Sequence, residues 1–322
     1  MDNKCTIADF ELEVVSNSTY NLPTQAQSIN SNASIKNLIP NQVKFVHADK
    51  FWEQGYKGNG VKVAVLDTGI SSHYALNSAV KGGLRFVTDN SGNTDTSNYT
   101  DKHGHGTHVA SIIGARPDGT HQCMYGLAPE CDLYIGKILD DNGKGTVTQM
   151  VSGIEWAIEQ GVDIINMSVS YPSYSTALEN AVKKAVNNNI LVIVASGNGG
   201  DGTSITSEIS YPAYYNESVA VGAIDFQSQI TDFSNSNNQI DCVGTGYKIT
   251  GCYLNNTYAL ASGTSQAAPV VAGFLALLLQ KFRTERGRTP SEVELYAYLI
   301  RHCRDLNLDY REQGFGCPKF ER

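Results

Sequence analysis

Three short segments carry side chains able to do chemistry: VAVLDTGI around Asp67, GHGTHVA around His105 and ASGTSQAAP around Ser265. In chain order they supply a carboxylate, an imidazole and a hydroxyl, each set among small residues, the inventory for nucleophilic acyl transfer. A fourth segment, VIVASGNGG, brackets Asn198 with glycines after an apolar run, Ile190 to Ala195, and so presents an amide donor to a developing oxyanion. Singly, each has an ordinary structural explanation: a strand-end Asp, a surface or core His, a helix-cap Ser, a turn Asn. Their co-occurrence points to one site.

The elements that must position these groups follow from the flanking residues. Val61 to Leu66 is mostly apolar and rich in β-branched residues, so it reads as a buried strand with Asp67 at its carboxyl end, where open α/β sheets place ligands. His105 stands between Gly104 and Gly106 at the start of a helix-like stretch, Val109 to Ile113. Pro269 is expected in the first turn of the helix that continues as Val270 to Leu279, which puts Ser265 at or beside the helix start, with an unpaired N–H. His103 and His108 lie near His105, but no Glu follows His105 as H-E-x-x-H requires and no third ligand is evident, so no metal is expected in the chemistry.

The ordered segments LIP at Leu38 to Pro40, GVKVAVLDTG, GHGTHVA, GLAP, GIEWAIEQGVDIINMS, ASGNGGDG, SYPAYYNESVAVGA, DFSNSN and SGTSQAAP run from about Leu38 to about Ile300. With them the chain resembles the subtilisin-type serine proteases, the subtilases, and among these the intracellular subtilisins of Gram-positive bacteria. The resemblance implies Ser265 as nucleophile, His105 as general base and then acid, Asp67 as the orienting carboxylate, and Asn198 with the Ser265 N–H as oxyanion hole. It implies a polypeptide substrate lying extended between Gly143-Lys144-Gly145 and Ser168-Val169-Ser170, its pocket bordered by Ala195, Ser196, Gly197, Asn198 and Ser210. Leu38-Ile39-Pro40 matches the motif of the extension with which intracellular members cover their own site, so residues 1–40 are expected to be an inhibitory arm and 41–322 the catalytic domain. Dimers occur among those members, which makes a homodimer one expectation.

Departures from the family pattern carry their own expectations. Gln266 stands where an oxidisable Met is usual, which predicts resistance to peroxide. Ser170 stands where Gly is frequent and adds a side chain to the cleft. No cofactor is needed for the chemistry; structural calcium, for instance on carbonyls near Ser210 to Ala213, is one expectation, but the family's usual strong site looks degraded: Ala75 replaces a ligating Asp, and the lengthened loop from Ala115 to Tyr125 brings in Arg116.

Composition bounds the remainder. The chain has 322 residues, 41% of them hydrophobic, enough for one large α/β domain. A net charge of −8 gives no electrostatic pull toward nucleic acid or an anionic membrane, and no apolar stretch reads as a membrane span. Apolar strands at Leu133 to Leu139, Asp163 to Met167, Ile190 to Ala195 and Val219 to Ala223 alternate with helices at Val147 to Glu159 and Thr176 to Asn187. That rhythm predicts a three-layer sandwich with a mainly parallel central sheet and helices on both faces. Residues 11–36, rich in Ser, Asn, Thr and Gln, read as a linker or weakly structured arm. The acidic amino terminus does not read as a secretory signal, and seven scattered cysteines fit free thiols, with Cys242–Cys252 the one conceivable bridge, so the expected location is cytoplasmic. Two roles fit an active enzyme, a general endopeptidase and a narrow processing protease of leader-peptide or prophage type; an inactive binding pseudoprotease is the remote third.

Overall fold

The computed structural model describes residues 4–6, 11–15, 37–87 and 96–320. Two short strands, β1 (Lys4–Thr6) and β2 (Glu11–Val15), precede helices α1 (Asn41–Phe45) and α2 (Ala48–Glu53). The α/β run follows as β3 (Lys62–Asp67), β4 (Val80–Arg85), α3 (His105–Gly114), β5 (Asp132–Lys137), β6 (Lys144–Thr146), α4 (Val147–Glu159), β7 (Ile164–Met167), α5 (Thr176–Asn187), β8 (Leu191–Ala195), β9 (Ser218–Ile224) and β10 (Ile240–Thr245). Then come β11 (Ile249–Cys252), β12 (Tyr258–Ser262), α6 (Thr264–Arg286), α7 (Glu292–Ile300), β13 (Cys303–Arg304), α8 (Tyr310–Gln313) and β14 (Cys317–Pro318).

The central sheet has seven strands in the order β10-β9-β8-β7-β3-β5-β4, and every pairing in it is parallel. Its strands are continuous apolar runs because both faces are covered. Alternation along β3 sorts them: Val63 and Val65 pack with α3 and α6 on one face, Ala64 and Leu66 with α4 and α5 on the other. Helices α4 and α5 match the sequence expectation to the residue because each has a legible start. Thr146 and Gln149 form a reciprocal capping box before α4, and Ser175 accepts from the Leu178 N–H before α5.

Several expectations are corrected. Leu38-Ile39-Pro40 does not lie over the expected site. Leu38 donates to the Cys123 carbonyl and accepts from the Tyr125 N–H, Ile39 belongs to the core, and Pro40 is the N-cap of α1. Gly126 and Leu127, which follow directly, bond to Ala115 and Ile112, so this strip sits at the carboxyl end of α3 while His105 is at its start, a helix of ten residues or about 15 Å away. An apolar pair followed by Pro suits a helix entry as well as an inhibitory kink, and burial selects the former. The catalytic fold thus begins before residue 41. Residues 11–15 form a strand that extends β12, with Glu11 opposite Ser262, and residues 16–36 fall outside the described residues.

Pro269 is the sixth residue of α6, beyond the first turn. The N–H it lacks would have bonded to Ser265 O, and that carbonyl instead accepts from Ser168 Oγ at 2.9 Å. By length and composition α6 is apolar enough to span a membrane, contrary to expectation; 83% of the relevant window is buried inside the fold, as its core helix. Cys242 and Cys252 are both free thiols.

Candidate active site

Parallel strands end at one edge, and the register decides which ends are neighbours. Val65 of β3 stands opposite Asn166 of β7, and at this same edge Asp67 closes β3 and Ser168 follows the end of β7. Ser168 is the residue that meets Ser265: Ser265 Oγ donates to its carbonyl at 3.2 Å. From the other side His105 Nδ1 lies 2.8 Å from Asp67 Oδ1, and both side chains are fully buried. The carboxylate accepts, so Nδ1 carries the proton and Nε2 is left as the basic nitrogen.

Four residues outside the expected set, Asp101, Tyr253, Thr68 and Lys137, hold this pair in place. Asp101 accepts the N–H groups of His103, Gly104 and Thr107 and the Thr107 hydroxyl, which caps the turn from which α3 starts. An Asp three residues before the N-cap was the available signal, hidden by the glycine at the cap itself. Gly104 has φ of 98°, and a Cβ there would collide with the Tyr253 ring, whose hydroxyl donates to the His103 carbonyl. Thr68 Oγ accepts from the Gly106 N–H while its own N–H bonds Asp67 Oδ1. Buried Lys137 donates to Thr68 O at 2.5 Å and to Asp141 at 2.9 Å, tying the end of β3 to the loop before Gly143.

Asn198 follows β8, and its amide orientation is settled by its partners. Oδ1 accepts from the Thr264 N–H at 2.8 Å and the Thr264 hydroxyl at 2.7 Å, so Nδ2 is the outward end. Ser265, second in α6, has an N–H with no partner within the helix. Two donors therefore flank the Ser265 hydroxyl. The other histidines have different tasks. Burial pushes the His108 imidazole down to about 4, and its Nε2–H is shared between Ile249 O and Ala259 O at 3.1 and 3.2 Å, which pins α3 to β11 and β12. Burial lowers His103 as well, helped by His105.

Of the expected substrate-contacting residues, Ser168, Val169 and Ser170 prolong β7, and Ala195, Ser196 and Gly197 lead from β8 to Asn198. Ser210 is brought to the same place by a bond to Ser170. Lys144 and Gly145 lie in β6, with Gly143 just before it, and β6 is already paired: β1 adds to it antiparallel, with Lys4 opposite Thr146, Cys5 opposite Gly145 and Thr6 opposite Lys144.

Comparison with known proteins gives similarity over most of the chain. The family model described as the subtilase family matches residues 58–316. The "Major intracellular serine protease" of Bacillus subtilis is 44% identical over 282 residues, covering 87% of each chain. The "Intracellular serine protease" of Paenibacillus polymyxa is 44% identical over 281 residues, 87% of this chain and 85% of that one. "Subtilisin E" of Bacillus subtilis is 42% identical over 247 residues, 76% of this chain and 62% of the relative.

Proposed function

This chain belongs to the subtilase family and is a serine endopeptidase, and we propose that it cleaves peptide bonds through Asp67, His105 and Ser265 with an acyl-enzyme intermediate. The observation that carries the assignment is the buried His105–Asp67 bond of 2.8 Å beside a serine at the open start of α6. Ser265 O–H turns from the Ser168 carbonyl to His105 Nε2, which takes the proton as Oγ attacks the scissile carbonyl. The oxyanion accepts from Asn198 Nδ2 and the Ser265 N–H, donors fixed before the reaction. His105 then protonates the leaving amine, and water repeats the sequence to free the acid. Substrate adds as a strand between Gly143-Lys144-Gly145 and Ser168-Val169-Ser170, where main-chain bonds do not read side chains.

The amino-terminal arm restrains this activity. Support comes from β1, which pairs along β6 at the edge where substrate would add. The blocking element is thus residues 4–6, not Leu38 to Pro40. The relatives named intracellular, together with free buried thiols, favour a cytoplasmic location, where such restraint protects the cell's own proteins.

Calcium does not fit the segment where the resemblance would place it. Ala75 offers no carboxylate, its carbonyl accepts the Arg116 N–H at 2.8 Å, and the Arg116 guanidinium donates to Cys131 O close by.

The deciding test is turnover of a chromogenic tetrapeptide and of casein by the full chain and by Ser265→Ala, with the amino terminus of each followed by mass spectrometry. Wild type should trim its arm and then cleave; Ser265→Ala should do neither, with a loss on the order of 10⁶-fold, a magnitude taken from subtilisin and not from this geometry. Equal activity in the two proteins would falsify the assignment.

A further inference from the structure

Beside the reacting groups lies a pair of hydroxyls that the reaction does not use. Ser170 Oγ and Ser210 Oγ are 2.7 Å apart. Ser170 sits two residues past Ser168, whose carbonyl holds the Ser265 hydroxyl, so it lines the strand that passes the nucleophile. Ser210 precedes Tyr211, whose main chain exchanges bonds of 2.9 and 2.8 Å with that of Tyr171. The two segments are thereby locked together directly behind the hydroxyl pair.

The opposite wall is equally close. Gly197, just before the oxyanion donor Asn198, has φ of 109°, and a Cβ added there would stand 3.2 Å from Ser210 Cβ and 2.4 Å from Asn235 Nδ2. Asn235 cannot retreat, because its amide donates to Ser196 O at 2.8 Å and accepts from the Gly199 N–H at 2.7 Å. Ser210 itself is only 4% exposed. The gap between the segments 168–170 and 195–198, next to Ser265, is therefore crossed by a hydrogen-bonded bridge on a braced floor.

We propose that Ser170 and Ser210 determine specificity by closing the pocket for the side chain before the scissile bond, so that the enzyme takes Gly, Ala or Ser there and rejects aromatic and large aliphatic residues. The inference rests on the peptidase reading above and names the substrate class for that same site. A large ring entering the gap has to part the two hydroxyls and leave them buried without partners, whereas a methyl or hydroxymethyl group stops short of them. Room for even one methylene changes selectivity about tenfold or more, so the effect is measurable.

The test compares tetrapeptide p-nitroanilides identical except for Ala, Ser, Leu, Phe or Glu at the last residue, using the full chain after its mass has become constant. Wild type should show kcat/KM at least about tenfold higher for Ala than for Phe. Ser170→Gly with Ser210→Gly should shift that ratio toward Phe by at least about tenfold; Ser170→Gly alone, which leaves the segment around Tyr211 untouched, should shift it in the same direction. A wild-type preference for Phe, Leu or Glu, or an unmoved ratio in both variants, overturns the proposal. Labelling of Ser265 by diisopropyl fluorophosphate is scored in parallel. Labelling together with the wrong peptide preference sinks the pocket alone, whereas no labelling and no cleavage removes the peptidase reading and the pocket with it.

Discussion

The two helices that carry His105 and Ser265 begin in opposite ways. At the start of α3 the Asp101 carboxylate accepts three N–H groups and a hydroxyl, so the positive end of the helix dipole is met by a full negative charge. At the start of α6 there is no side-chain cap at Gly263; only the neutral amide oxygen of Asn198 meets the Thr264 N–H, and Ser265 comes next. In the proposed mechanism the first helix holds a ring that becomes a cation, and an uncompensated dipole would oppose that charge. In that mechanism the second faces a developing anion, and its uncompensated dipole assists it. One element type serves two electrostatic tasks, and the partner of the first turn selects between them.

The largest test of the open end is Asn198→Leu. It should lower kcat by about 10²–10³ with KM little changed, a range known for such a donor in subtilisin, since the amide acts only on the oxyanion. A loss confined to KM would mean that Asn198 binds substrate and that α6 alone supports the charge.

At the closed end, Asp101→Asn keeps an acceptor but removes the charge. We expect kcat to fall on the order of tenfold and stability by about 1 kcal/mol, the usual worth of a cap. If kcat held while stability fell, Asp101 would be a cap only, and the electrostatic contrast between the helices would be wrong.

A smaller effect concerns the second ring on α3, His108. Burial holds His108 and His73 down at about 4 against an ordinary 6.5, so below pH 6.5 the unfolded chain takes protons that the native protein refuses. Stability should therefore be full above pH 6.5 and fall as pH drops toward 4, by at most about 1.4 kcal/mol per pH unit for each ring. Asp241, raised by burial to about 6, opposes this below pH 6, since the native state then binds its proton first. Denaturant melts at pH 7.5 and 5 should show a flatter acid loss for His108→Leu than for wild type; an unchanged slope would remove His108 from the account.

Least of all should change at the far end of α3. There Arg116 occupies the Ala75 carbonyl, so chelation with EDTA should move the melting temperature by less than about 1 °C. A drop of several degrees would show that calcium is bound after all.

Much of this was legible from the residues. Strands such as β8 and β9 are unbroken β-branched and apolar runs, and α4 and α5 carry a cap and an apolar period, so local chemistry was enough. The chemistry-bearing residues stand in small-residue segments that no ordinary core or loop explains together. Leu38 to Pro40 misled because a three-residue motif has no local feature that tells a buried entry from an inhibitory kink. Residues 11–15 read as linker because their pairing energy comes from β12, far along the chain. Asp101 and Lys137 were missed since a carboxylate or ammonium reveals its role only through what surrounds it.

By itself, then, the order of residues determined the sheet-forming runs, the helix starts and which segments carry the proposed nucleophile, base and donor, because these follow from backbone preference and side-chain chemistry within a few residues. Only the tertiary structure decided which tautomer His105 adopts, which end of Asn198 faces outward, where the arm lies, and that Ser170 and Ser210 meet at 2.7 Å. Those outcomes depend on hydrogen bonds that form only within a few tenths of an ångström and a limited range of angles, and such positions are set by strands packed from distant parts of the chain.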